Sequence, residues 1–417
     1  MKTKMFILGC LMGCLLAFFI EDKNDYKSKV IANTKKNQLI SMNLEQNAGM
    51  KDYKEVTQSN WPTEGYVFNK ERSGCEKGGE LSWDDAKKTV VMMGAVSDKC
   101  YVYFDKVSIK SLADYVKSQY TGIQGENNIY YHDKTLENGA GDNSYRYAGA
   151  SEEVNNFVCF GSNADTCPDD NLYRIIGVID GKVKLIKYDY ATATLLGFDG
   201  DYSDSATPTS TTYKGKLTKV YYYYWNYKAD LTHASVKTRL WSNSLLNETN
   251  LNTNFLNKIS VSWANRIATT TWIVGGNTST NIISAVPSVA YQNEIVNPEV
   301  GSTPATSTTS YSAKIGLMYV SDYGFAASPS AWTTSLSYYN DNSITSVNWM
   351  YMGLYEWPIT RNTDNSGNVF YVKYDGGTTS YTMTTKFVCL RPCFNLESTV
   401  LYKSGTGTIT DPFIIGD

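Results

Sequence analysis

Only two histidines, His132 and His233, occur in the 417 residues, and that scarcity limits the chemistry open to the chain. His132 falls in Tyr130-Tyr131-His132-Asp133 and His233 in a polar stretch. A Ser-His-Asp triad would need one of them, and no G-x-S-x-G elbow accompanies either. Both are expected to be solvated. No H-E-x-x-H and no paired C-x-x-C is present, so no zinc site is expected. There is no phosphate loop, and Gly405-Thr406-Gly407 lacks the third glycine and the helix of a dinucleotide fingerprint. Calcium is the one cofactor left open. Asp199-Gly200-Asp201-Tyr202-Ser203-Asp204 and Asp364-Asn365-Ser366-Gly367-Asn368 place oxygens at loop spacing, although both are also ordinary turn compositions and neither fits the full EF-hand pattern. Nothing singles out a carboxylate pair for glycoside hydrolysis. No catalytic and no metal-ligating residue is therefore assigned.

The strongest clue to binding is the run Trp349-Met350-Tyr351-Met352-Gly353-Leu354-Tyr355-Glu356-Trp357. Read as a strand, it puts Trp349, Tyr351, Tyr355 and Trp357 on one face and Met350, Met352, Leu354 and Glu356 on the other. One face belongs in a core. The other can stack on a sugar or enter a pocket of a protein partner. These four aromatics are the ligand-binding candidates.

Those residues need elements to hold them. Composition indicates that most of the chain folds: 42% of residues are hydrophobic and 19% charged. The formal net charge of -3 gives no basic field, which argues against nucleic-acid binding. Tyrosine, with 33 residues against 14 Phe and 9 Trp, carries much of the polar load together with Ser, Thr, Asn and Gly. Tyrosine so used fills half-buried strand positions or builds aromatic binding faces.

Residues 1–22 read as a signal anchor. Met1-Lys2-Thr3-Lys4 is a short basic flank, and Met5 to Ile20 is an unbroken apolar run. As a helix that run spans roughly 24 Å, a length that Lys2 and Lys4 extend by snorkelling. The basic flank precedes it, which leaves the bulk of the chain extracellular on a single-pass membrane protein. Cleavage as a signal peptide, or lipidation at Gly9-Cys10 or Gly13-Cys14, are the alternatives. Residues 23–50 are polar and read as a helical or semi-disordered stalk. Residues 51–106 read as a small β-sandwich-like module with strands at Tyr66–Phe68, Leu81–Trp83, Val90–Met93 and Cys100–Phe104. A Cys75–Cys100 disulfide, permitted outside the membrane, would contribute roughly 3 kcal/mol there. Residues 107–150 read as a helix, from Ser111 to Tyr120, followed by an irregular linker.

Residues 151–417 form the large domain. Asn156–Phe160 reads as a strand, with a Cys159–Cys167 disulfide across a polar loop. Leu172–Ile179 and Val183–Tyr188 read as a hairpin turned by Asp180-Gly181. Gly197–Lys216 reads as an exposed loop and Ser242–Ala268 as one or two amphipathic helices. Thr271–Val274, Ile315–Val320 and Val369–Tyr374 read as strands. The order fits an α+β, mainly β, fold without βαβ alternation. Cys389 and Cys393 would lie roughly 13 Å apart on one straight strand, so they are either buried thiols or a pair brought together by a turn at Pro392.

In order along the chain, "LYRIIGVIDGKVKLIKYDY", "LWSNSLLNETNLNTNFLN", "KIGLMYVSDY", "WMYMGLYEW", "VFYVKYDGG" and "FVCLRPCFNLES" resemble a domain of uncharacterised surface proteins from gut Firmicutes. That domain is similar to C-type-lectin-like folds, among them formylglycine-generating enzymes and the variable proteins of diversity-generating retroelements. The resemblance covers about Asn156 to Ile415. It implies a lectin-like head held outside the cell, binding a glycan or a protein, and it implies no activity. The expected function is a membrane-anchored binding or adhesion protein, not an enzyme. A pseudopilin-like structural subunit and a secreted glycan-acting enzyme are the alternatives.

Overall fold

The computed structural model describes residues 40–56, 61–62, 65–84, 87–93, 98–107, 110–164, 166–197, 209–213, 216–225, 241–278, 284–298, 310–364, 368–382 and 388–416. The chain divides into two compact units, Met1–Ile109 and Lys110–Asp417. It is mainly β, with 34% strand against 21% helix, as the sequence order indicated.

The first unit contains β1 (Ile40–Glu45), β2 (Tyr53–Val56), β3 (Tyr66–Phe68), β4 (Gly74–Cys75), β5 (Glu80–Asp84), β6 (Thr89–Met93) and β7 (Cys100–Lys106). One sheet runs β2-β1-β7-β3, with β4 also on β7, and β5 and β6 form a separate hairpin. Ile40, Met42 and Leu44 from the first sheet and Leu81, Val90 and Met92 from the hairpin share one core. β1 corrects the described end of the stalk reading, from Ile40; residues 23–39 lie outside the described residues. Ile40, Met42 and Leu44 recur with period two, so a strand buries all three where a helix would spread them. Cys75 and Cys100 sit opposite each other on β4 and β7 and are disulfide-bonded.

In the second unit a seven-residue helix, Leu112–Ser118, is capped by the Ser111 hydroxyl, which accepts from the Asp114 N–H. The strands are β8 (Ile129–His132), β9 (Ser144–Tyr147), β10 (Phe157–Cys159), β11 (Leu172–Ile179), β12 (Lys182–Lys187), β13 (Thr209–Tyr213), β14 (Lys216–Val220), β15 (Thr270–Ile273), β16 (Gly276–Asn277), β17 (Ser310–Ala313), β18 (Ile315–Gly316), β19 (Arg361–Asn362), β20 (Asn368–Val372), β21 (Thr378–Thr382), β22 (Cys393–Asn395), β23 (Leu401–Ser404) and β24 (Phe413–Gly416). The main sheet runs β18-β22-β12-β11-β10-β24-β23, and β8 and β9 join it through β11. A smaller sheet runs β16-β19-β20-β21. The β11–β12 hairpin turns on Asp180 and Gly181, both at positive φ (49° and 73°), as a two-residue turn requires.

Four other sequence readings change. Residues 107–150 contain β8 and β9, which pair with each other and, through β9, with β11, so from Lys110 on this stretch is part of the second unit. The described end of the Gly197–Lys216 loop is a hairpin, β13 with β14. Ile315–Val320 is strand only at Ile315–Gly316. The chain then turns into the helix Val320–Phe325, because the Asp322 carboxylate accepts the Tyr319 N–H and caps it. Trp349–Trp357 is not a strand. Cys159 and Cys167 are bonded as expected, and Cys389 and Cys393 are buried free thiols. Among the described residues no helix is long and apolar enough to cross a membrane; the run Met5–Ile20 lies outside them.

Candidate functional site

The nine residues from Trp349 to Trp357 are pinned at both ends by backbone hydrogen bonds. The Trp349 N–H donates to the Gly149 carbonyl (2.8 Å), and the Trp357 N–H donates to the Cys389 carbonyl (3.0 Å). Glu356 exchanges two backbone bonds with Val372 of β20 (2.9 and 3.0 Å). Between these pins the segment bows outward, with Gly353 at a φ of 85°.

Both tryptophans face inward. The Trp349 indole donates to the Tyr147 carbonyl (2.8 Å), and its ring is covered by the Arg174 guanidinium at 4.6 Å. The Trp357 indole donates to the Tyr223 carbonyl (2.7 Å). Each is at most 1% exposed, so neither can stack on a ligand. This corrects half of the sequence-predicted site. The strand that would have put all four aromatics on one face does not form.

Tyr351 and Tyr355 remain at the surface, each partly buried. Residues from the end of β20 and its turn join them. The Tyr351 hydroxyl donates to the Tyr374 carbonyl (2.7 Å). The Tyr355 ring lies 5.5 Å from that of Tyr371 and 5.4 Å from that of Tyr374. Tyr374 is 55% exposed, and beside it Lys373 and Asp375 form an ion pair at 2.7 Å. Burial, with the Asp375 charge, pushes the Tyr351 hydroxyl above its usual range, so it remains a donor at neutral pH. The arrangement presents aromatic faces next to charged hydrogen-bonding groups. In the sequence Val369–Tyr374 reads as a strand, with nothing in that reading to mark Tyr374 as a surface partner of Tyr351 and Tyr355. The available signal was the tyrosine two residues past the strand end, in the Lys373–Gly376 turn.

Beneath this surface Glu356 and Arg391 make a bidentate pair (2.7 and 2.9 Å), and Arg391 also donates to the Met350 carbonyl (2.7 Å). Arg391 is therefore an internal strut. Met352 and Leu354 pack against Tyr190, Tyr213, Val220 and Cys389. Burial pushes the Cys389 thiol well above its usual range, so it is not a nucleophile.

A second concentration of titratable groups lies in the interior. Arg146 donates from Nη1 to Asp322 (3.2 Å) and from Nη2 to Asp142 (2.8 Å). Lys184 donates to the other Asp322 oxygen (2.5 Å). Glu294 accepts from the Ser321 N–H (3.1 Å) and the Thr360 hydroxyl (2.6 Å), and burial pushes it up to about 7. His132, expected to be solvated, is fully buried against Phe325 and Trp332. Its Nδ1 accepts from the Ala140 N–H (3.0 Å), and burial pushes its pKa down to about 3. It is neutral at ordinary pH and enclosed by protein.

Among the described residues, one grouping has metal-ligand types: Cys75, Asp98 and Cys100. Both sulfurs are in the disulfide, and Asp98 accepts the N–H groups of Lys77 (2.7 Å) and Gly79 (3.1 Å). His233 and the first calcium candidate, residues 199–204, lie outside the described residues, as do residues 365–367 of the second. No protein-family model matches the chain, and no curated protein or solved structure is significantly similar to it.

Proposed function

We propose that the chain is a membrane-anchored extracellular binding protein whose second unit is a lectin-like head for a glycan or protein ligand. The observation that carries the reading is the surface of Tyr351 and Tyr355, on a segment pinned at both ends, with Tyr374 from the β20 turn beside them. Tyrosine faces stack on the apolar face of a pyranose, and the adjacent Lys373 and Asp375 offer partners to its hydroxyls. The same features suit insertion into a protein pocket. The extracellular assignment rests on the Met5–Ile20 run and on two disulfides, which persist in oxidising surroundings. A binding role is favoured over an enzymatic one because the buried carboxylates Glu294, Asp322 and Glu356 are enclosed and bonded to protein groups. The test is a glycan and host-protein array probed with the purified chain. Binding that is lost in a Tyr355→Ala, Tyr374→Ala double variant supports the reading. An array on which the wild-type chain binds nothing, or binding unchanged in the variant, sinks it.

A further inference from the structure

We propose that Tyr120, Tyr131 and Tyr145 form a second recognition face, built from other elements than the Tyr351–Tyr374 surface, and that this face takes a neutral glycan. Tyr120 follows the helix Leu112–Ser118, Tyr131 lies on β8, and Tyr145 stands directly opposite it on β9. The Tyr131 and Tyr145 rings stack at 4.6 Å and 29°. Tyr120 packs against both, at 5.9 and 5.8 Å. All three are half-buried, so each ring keeps part of itself at the surface.

The face is held in place before any ligand arrives. β8 pairs with β9 on one edge only. On the other edge the Gln124 side-chain amide accepts the Tyr131 N–H and donates to the Tyr131 carbonyl, both at 2.9 Å, where a further strand would otherwise bond. The Tyr131 hydroxyl donates to Asn143 Oδ1 (3.2 Å). Asn127 Nδ2 donates to the Gln119 carbonyl (2.9 Å), just ahead of Tyr120. Rings fixed in this way lose little freedom when a ligand stacks on them.

The unspent polar groups of the face identify its ligand. Tyr319, Tyr323 and Tyr339 donate their hydroxyls to carbonyls of the fold. The hydroxyls of Tyr120 and Tyr145 have no protein partner among the described residues, and Asn143 keeps Nδ2 free once Oδ1 is taken. Burial, with the Tyr131 and Tyr120 hydroxyls nearby, pushes the Tyr145 hydroxyl above its usual range, so it remains a donor at neutral pH. Charges on the flanking chain are spent within the protein: Glu126 accepts from Thr121, Asp133 from Thr135 and Asp142 from Arg146, and Lys117 pairs with Asp114. An apolar protein anchor would strip water from the free hydroxyls and amide and leave them unpaired. Sugar hydroxyls donate and accept, and the C–H face of a pyranose lies on an aromatic ring. The inference does not rest on the reading of Tyr351, Tyr355 and Tyr374.

The test is calorimetric titration of the full chain, in a detergent without a sugar headgroup, with cellohexaose, xylohexaose, mannohexaose and chitohexaose. At least one should bind. A Tyr120→Phe, Tyr145→Phe double variant should weaken that binding about tenfold or more, with urea unfolding unchanged, because neither hydroxyl has a partner to lose in the protein. Tyr131→Ala should abolish it, and Tyr374→Ala should leave it in place, which separates this face from the other. No binding by any of these sugars overturns the proposal, as does binding that the phenylalanine variant leaves unchanged. A wild-type dimer in sedimentation that Tyr131→Ala converts to a monomer also overturns it, because a second copy then covers the face.

Discussion

Trp349 and Trp357 lie in the core, whereas Tyr351 and Tyr355, from the same nine residues, reach the surface. Residue type does not make this division, because Tyr319, Tyr323 and Tyr339 are buried elsewhere with their hydroxyls bonded to carbonyls. Attachment makes it. The tryptophans stand where the backbone is tied to Gly149 and Cys389, so their rings enter the core beside those ties. The tyrosines stand on the bow between them. An indole has a single donor and is satisfied by one carbonyl, which Tyr147 and Tyr223 supply. The segment's inner side should therefore carry stability and its outer side recognition.

The largest expected effect comes from the inner side. Trp357→Ala should cost about 3–5 kcal/mol, from lost burial and an uncollapsed cavity. Trp349→Ala should cost a similar amount and also uncover Arg174, which is buried with no carboxylate hydrogen-bonded to it among the described residues. Urea unfolding reads both. A loss under 1 kcal/mol for either tryptophan would erase the distinction between the two sides.

Removing one member of the strut under the segment comes next. Glu356→Ala leaves the Arg391 guanidinium buried and uncompensated and should cost about 3 kcal/mol. Glu356→Gln keeps one acceptor and should cost less. The same urea series checks both, and equal losses would show that the charge of Glu356, and not its hydrogen-bond acceptor, carries the effect.

Smaller effects should appear as opposing pH slopes from the interior, with no counterpart at the surface tyrosines. His132 is depressed from 6.5 to about 3 in the folded chain. Its contribution is present above pH 6.5 and declines as pH falls toward 3, because the unfolded chain takes up the proton first. Glu294 is raised from 4.5 to about 7. Its contribution is present below pH 4.5 and declines as pH rises through 7, because the unfolded chain releases the proton first. Each pH unit within a window is worth up to about 1.4 kcal/mol. Measured from pH 4 to 8, the urea midpoint of Glu294→Gln should gain on wild type as pH rises. A His132→Gln variant should gain on wild type as pH falls. Parallel profiles would place both groups in contact with solvent.

What could be read from the sequence was local. Asp180-Gly181 marks its hairpin, Ser111 marks its helix start, and Cys75 and Cys100 fall on paired strands as their spacing suggested. Local pattern failed where distant partners decide. The alternation in Trp349–Trp357 fits a strand, but Trp349 is fixed by Tyr147, 202 positions away. Lys184 and Lys187 fall on opposite faces of β12 and both are buried, so both faces of that strand are covered, which the sequence of the strand does not announce. Asp322, amid apolar neighbours, gave no sign of its partner 138 positions back. Two of the three tyrosines of the proposed surface, Tyr351 and Tyr355, were legible. Tyr374 was not, since only the fold brings the β20 turn beside them.

The smallest stability effect should accompany the largest effect on binding. Tyr374 is 55% exposed, so Tyr374→Ala should change unfolding by about 0.5 kcal/mol or less. Tyr355→Ala also loses its ring contacts with Tyr371 and Tyr374 and should cost roughly 1 kcal/mol. A stacking residue at the centre of a contact is worth about 2 kcal/mol of affinity. Each variant should therefore weaken binding roughly 30-fold while remaining folded. Tyr351→Phe keeps the ring and loses the bond to the Tyr374 carbonyl, so any weakening it causes measures how much the ligand needs Tyr374 held in place. Unaltered affinity in Tyr374→Ala, with Trp357→Ala still strongly destabilised, would leave the inner side as described and move recognition away from this surface.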